Sequence, residues 1–171
     1  AEGLDFIPVN KAEQQLCRAV KDNSSNVVVL ASDKYEDKLY ETLPAGGLIC
    51  RYGVGHDGVD KTKATENKLI VTNTPNVLDD SVAEHAIALI CASARRIARS
   101  DAIIKSGKWQ QLKGVELKGL NLLIIGCGNI GKKAGKIASF GFGMNVYGYD
   151  VADIDKSKLE KETGIKLLNS L

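Results

Sequence analysis

The residues best suited to chemistry form a glycine run, Gly126-Cys127-Gly128-Asn129-Ile130-Gly131, followed 19 positions later by Asp150. Each glycine of this G-x-G-x-x-G has its own task. Gly126 permits a tight strand-to-helix turn, Gly128 lets the backbone approach a pyrophosphate with no Cβ in the way, and Gly131 lets the helix pack closely on the strand. The N-terminus of a helix starting here would present N–H donors and partial positive charge to phosphates. An acid placed like Asp150 accepts both hydroxyls of an adenosine ribose. A tight structural turn is the plain alternative. The Asp150 carboxylate would repel a 2′-phosphate and no Arg follows it directly, which favours NAD over NADP, with Lys156 and Lys158 near enough in sequence to leave the choice open.

Positioning such a loop takes a strand before it and a strand–helix repeat after it. The apolar run Leu120–Ile125 reads as the first strand, Ile130 to about Phe140 as the helix, and Met144–Tyr149 as the next strand, ending in Asp150. Upstream, strands are expected at Asp5–Val9, Val27–Ala31, Leu48–Arg51 and Lys68–Asn73, with Pro8 marking the first as a strand start or an edge. Helical spacing of apolar residues marks Lys11–Lys21 and Asp33–Leu43. The strands are apolar on successive residues, as when both faces of a parallel sheet are covered. Ser81-Val82-Ala83-Glu84 reads as a capping box opening a helix that runs without Pro or Gly to about Ile104, with Gly107 as its terminator. At about 24 residues it would be roughly 36 Å long, enough to link two lobes. The expected domains are 1–80, an α/β lobe of doubly wound parallel type; 81–105, the inter-domain helix; and 106–171, the start of a second such lobe.

Composition excludes other classes. Lys+Arg is 23 against Asp+Glu 21, a net charge of +2, so no field is built to attract nucleic acid or anionic lipid. The longest strongly apolar stretch, around Ala86–Ala94, is far short of the ~20 residues that span a bilayer, and the acidic, polar start is unlike a signal peptide. The four cysteines, Cys17, Cys50, Cys91 and Cys127, lie 33, 41 and 36 residues apart with no C-x-x-C pair. That spacing suits neither metal ligation nor a disulfide framework, and it reads as reduced, buried thiols of a cytoplasmic protein.

Taken with the upstream motifs, the glycine loop resembles that of the D-isomer-specific 2-hydroxyacid dehydrogenase family. Arg51-Tyr52-Gly53-Val54-Gly55-His56-Asp57-Gly58-Val59-Asp60 is similar to the family's substrate loop. Val71-Thr72-Asn73-Thr74-Pro75-Asn76 with Ser81-Val82-Ala83-Glu84-His85 resembles its strand and the start of its inter-domain helix. Gly107-Lys108-Trp109 and Glu116-Leu117-Lys118-Gly119 resemble its lead-in to the glycine loop. Phe140-Gly141-Phe142-Gly143-Met144 is one residue longer than the family's usual Phe-Gly-Met turn.

The resemblance implies two Rossmann or flavodoxin-like lobes and reversible hydride transfer between NAD(H) and a 2-hydroxy/2-oxo acid pair. It implies that the amides of Val54 and Gly55 help hold the substrate carboxylate, with Val54 also near the cofactor. Asn129 and Ile130 would offer amides to the pyrophosphate and Asp150 would take the ribose. A Gly-flanked turn at 53–55 exposes N–H groups that suit a carboxylate; an ordinary βα turn is the alternative. In the family the catalytic Arg, Glu and His follow well after the ribose acid, whereas this chain stops at Leu171, 21 residues past Asp150, inside what reads as a third strand at 164–171. The expectation is therefore an incomplete chain, with half the cofactor lobe absent and no catalytic residue assigned. His85 reads as a helix-surface residue, His56 as a loop residue that could meet substrate, and Arg51 as a strand end. The alternative is a non-catalytic NAD-responsive binding module, like the family's corepressor branch, and a homodimer is compatible with either.

Overall fold

The computed structural model describes residues 5–171. Residues up to Val77 form one compact unit and Leu78–Leu171 a second. Each unit holds a three-stranded parallel sheet with its strands in sequential order, the βαβαβ half of a doubly wound fold.

In the first unit, α1 (Glu13–Asp22), β1 (Val27–Leu30), α2 (Asp37–Thr42), β2 (Leu48–Arg51), α3 (Lys61–Glu66) and β3 (Ile70–Thr72) follow in order. The register pairs Val28 with Ile49 and Leu30 with Arg51, and Cys50 with Thr72. Leu39 and Ile49 are fully buried, with Tyr40 at 1% exposure, and they share one cluster with Val20, Val28, Leu30, Leu43 and Ala64. Each such aliphatic side chain contributes about 1.5–3 kcal/mol by leaving water. The α2 helix has no cap of its own. Glu13, on α1, supplies one from a distance, its carboxylate accepting from the Leu39 amide at 2.9 Å and the Glu36 amide at 3.2 Å. Asp60 caps α3 by accepting from the Thr62 and Lys63 amides.

The second unit comprises α4 (Asp79–Ala94), α5 (Ile97–Lys105), β4 (Asn121–Ile125), α6 (Asn129–Lys136), β5 (Asn145–Tyr149), α7 (Lys156–Thr163) and β6 (Ile165–Leu167). Its core joins Ile87 of α4 to Cys127, Ala138, Met144, Val146, Leu159 and Ile165. Between α6 and β5 the helix widens into a π-helical turn, Ile137–Gly141. A π-turn accommodates an extra residue within a helix, and this one reaches into the Phe140–Met144 turn noted above. Met144 is buried and β5 pairs with β4 through Ile125 opposite Tyr149.

Four expectations need correction. Residues 5–9 form no strand: the segment pairs with nothing regular, and Pro8 lacks a ladder donor. The single helix from 81 to 105 is two helices, broken where Arg96 takes a left-handed conformation (φ 56°). The break is closed by residues far along the chain, since Val115 donates to the Ala94 carbonyl at 2.9 Å and Arg96 Nε to the Lys113 carbonyl at 2.9 Å. The capping box is absent. The helix begins at Asp79 instead, and the Ser81 hydroxyl donates to the Leu78 carbonyl. Finally, among the described residues burial alternates along the strands: Val28 and Leu30 are buried while Val27 and Val29 are exposed, and Leu123 and Ile125 are exposed on β4. Each unit has one core cluster.

Candidate functional site

In the second unit the glycine loop joins the C-terminal end of β4 to α6, the place where open α/β sheets bind ligands. Gly126 has φ +96°, and its amide donates to the Tyr149 carbonyl at 2.8 Å, tying the loop to the end of β5. A Cβ at Gly131 would collide with the Gly126 carbonyl oxygen, so only glycine lets the helix start this close to the strand. A Cβ at Gly126 or Gly128 would meet nothing within 4 Å, so the space over the loop is open. The amides of Gly128, Ile130 and Gly131 have no acceptor among the described residues. Open space, unused donors and a helix N-terminus together fit a pyrophosphate.

Asp150 closes the loop from the neighbouring strand. Its Oδ2 accepts from the Cys127 amide at 2.6 Å and its Oδ1 from the Ala152 amide at 2.9 Å. Those bonds, Ala152's first, hold the carboxyl below the usual carboxylate range, with Lys132 adding a smaller pull in the same direction. Each carboxylate oxygen has lone pairs beyond the one used, so the ribose reading is compatible with this geometry. Cys127 is fully buried; burial, and then the Asp150 charge, push its thiol up and keep it protonated. Lys156, one of the two cations that left NADP open, has its ammonium hydrogen-bonded to the Asn169 side chain. Lys133 pairs instead with Asp80 of α4 at 2.5 Å.

Val54 and Gly55 lie in the first unit, in the loop after β2, where Val54 is half-buried and Gly55 exposed. Thus the structure groups Gly126, Gly128, Asn129, Ile130, Gly131 and Asp150 in one unit and sets Val54 and Gly55 in the other. The buried Gly53 before them has φ +143° and donates to Thr74 Oγ1 at 3.0 Å. Asn73 Nδ2 donates to the Val54 carbonyl at 2.8 Å. Sequence reasoning assigned no role to Asn73 or Thr74. The available signal was a run of polar residues at the C-terminal end of a parallel strand. His56 is half-buried in the same loop and His85 is exposed on α4, and among the described residues neither forms an ion pair with a carboxylate. Arg51 turns back on its own loop, its guanidinium donating to the Tyr52 carbonyl. Among the described residues no three His, Cys, Asp or Glu side chains are grouped to hold a metal ion, and no helix is long and apolar enough to cross a membrane. The four cysteines are unpaired.

Comparison with known proteins agrees with this geometry. Residues 87–170 match the family described as D-isomer specific 2-hydroxyacid dehydrogenase, NAD binding domain. The chain is 38% identical over 152 residues to glyoxylate reductase of Thermococcus litoralis, covering 84% of this chain and 45% of that protein. It is 42% identical over 128 residues to hydroxypyruvate reductase of Thermotoga maritima, covering 74% of this chain and 42% of that protein. Among solved structures, the pyruvate reductase of Chlamydomonas reinhardtii is similar at a TM-score of 0.73 and 29% identity, covering 96% of this chain and 47% of that one. The chain therefore spans about half the length of the relatives it matches. Glycine loop, Asp150 at the end of β5, sheet order and relatives lead to one assignment: the chain belongs to the D-isomer specific 2-hydroxyacid dehydrogenase family, with residues 87–170 lying in its NAD-binding domain.

Proposed function

We propose that the chain forms part of an NAD-dependent oxidoreductase acting on a D-2-hydroxy/2-oxo acid pair. The observation that carries this is the Gly126–Gly131 loop, open above Gly128 and tied to Asp150 through the Cys127 amide at 2.6 Å. Bound NAD supplies the hydride-exchanging nicotinamide. Asn129 and Ile130, at the first turn of α6, carry the pyrophosphate, and Asp150 accepts the ribose hydroxyls. Val54 and Gly55 direct their amides to the substrate carboxylate, with Val54 also near the cofactor, which orients a small 2-oxo acid without a side-chain cation from this loop. The relatives' names, glyoxylate and hydroxypyruvate reductase, support a short 2-oxo acid as substrate. Four unpaired thiols suit the cytoplasm, and we expect a homodimer.

Calorimetric titration tests the cofactor: NADH is expected to bind at least about ten-fold more tightly than NADPH, because the 2′-phosphate meets the Asp150 charge. Tighter NADPH binding overturns the assignment. Loss of NADH absorbance with glyoxylate, hydroxypyruvate or pyruvate would count against a module that binds NAD without turnover.

A further inference from the structure

Hydrogen bonding in the loop after β2 leaves two adjacent donors unused. The Tyr52 amide donates to the Leu30 carbonyl at 2.8 Å, and the Tyr52 carbonyl accepts from Arg51. The Gly53 amide donates to Thr74 Oγ1, and the Gly53 carbonyl accepts from the Thr74 amide at 3.0 Å. The Val54 carbonyl accepts from Asn73 Nδ2. From the Tyr52 amide to the Gly55 amide, the two groups without a partner among the described residues are the amides of Val54 and Gly55. A Cβ at Gly55 would meet nothing within 4 Å, so the space around it is open.

We infer that Thr74 and Asn73 are positioning residues that aim the Val54 and Gly55 amides at the substrate carboxylate; the inference rests on the substrate role proposed above for those two amides. Thr74 grips Gly53 on both sides, through its hydroxyl oxygen and its own amide, and fixes a backbone conformation (φ +143°) that few other residues adopt. Asn73 fixes the next peptide by holding the Val54 carbonyl, so the plane that carries the Gly55 amide is set by a side chain 19 positions away. Removing Thr74 Oγ1 leaves the buried Gly53 N–H without an acceptor, and the strained turn is then free to relax. Two adjacent donors recognise a carboxylate only while they keep a fixed mutual orientation, so the loss falls on substrate affinity.

The test uses the ¹⁵N-labelled 171-residue chain, titrated with sodium pyruvate while amide shifts are followed. Pyruvate is expected to shift the Val54 and Gly55 amides of the wild type. Thr74→Val, which keeps the shape and loses the acceptor, is expected to weaken that binding about five-fold or more, and Thr74→Ser to restore it. Asn73→Ser is expected to weaken it similarly. NADH affinity, which rests mainly on Gly126–Gly131 and Asp150 of the other unit, is expected to change far less than pyruvate affinity in all three, which separates aiming from general loss of structure. Wild-type binding that persists unchanged in Thr74→Val and Asn73→Ser overturns the positioning role alone. Absence of any pyruvate shift at Val54 and Gly55 in the wild type overturns the substrate reading, and this role with it. Should a variant fail to fold, amide exchange in the wild type decides. Protection at Gly53 without ligand, and at Val54 and Gly55 only with pyruvate, supports the role; fast exchange at Gly53 refutes it.

Discussion

Replacing Gly148 by alanine probes how the fold holds the glycine loop. Gly148 is buried in β5, where a Cβ would lie 2.5 Å from Cys127 Sγ and 2.6 Å from Ile165 Cγ2. Both neighbours are at 0% exposure, so neither can swing out to solvent. Overpacking of this kind costs about 1–3 kcal/mol, and with two clashes against buried partners the upper half of that range is expected. For a unit of this size the loss lowers Tm by about 10 °C or more. The push on Cys127 also displaces the amide that binds Asp150 at 2.6 Å, so NADH affinity falls with stability. Cys127→Ala removes one clashing atom and leaves Ile165 in place. The double variant should therefore recover part of the loss, with a coupling of about 1 kcal/mol in a double-mutant cycle read by urea unfolding. A Gly148→Ala protein within about 0.5 kcal/mol of wild type, or strict additivity in the cycle, would refute the argument.

Two further expectations concern charge and capping. The Asp150 carboxyl is held low by the Ala152 and Cys127 amides. Its bonds therefore contribute at pH values above the ordinary Asp value of about 3.9 and are lost only as pH falls through the lower folded value. NMR titration of that carboxyl should give a midpoint below about 3.9, with NADH affinity flat from neutrality down to that region; a midpoint at or above 3.9 contradicts the bonding. Glu13→Ala strips both amides at the start of α2 of their acceptor and should destabilise the first unit by about 1 kcal/mol in urea unfolding. NADH affinity should not change, and a fall in it would show that the cap reaches beyond its own unit.

What could be read in advance depends on how far each cause lies along the chain. The strands β2, β4 and β5 were legible because their apolar runs are bounded by glycine or polar residues within a few positions. The glycine loop was legible for the same reason: the Gly131 requirement comes from Gly126, five residues back. Helices α3 and α7 went unread although their signals are local. Asp60 and Asp155 cap them, and Gly164, at φ 72°, ends α7. The break at Arg96 had no such signal. Arg-Arg carries no helix-breaking residue, and the left-handed turn persists because residues 113–115 bond to it. The loop after β2 is the same case. Its glycines can be seen, but the atoms that hold the Gly53 and Val54 backbone belong to Thr74 and Asn73, about 20 residues on, just past the end of β3, which pairs with β2. A motif can therefore name the donors of such a site, while the residues that aim them follow from the register of the neighbouring strand.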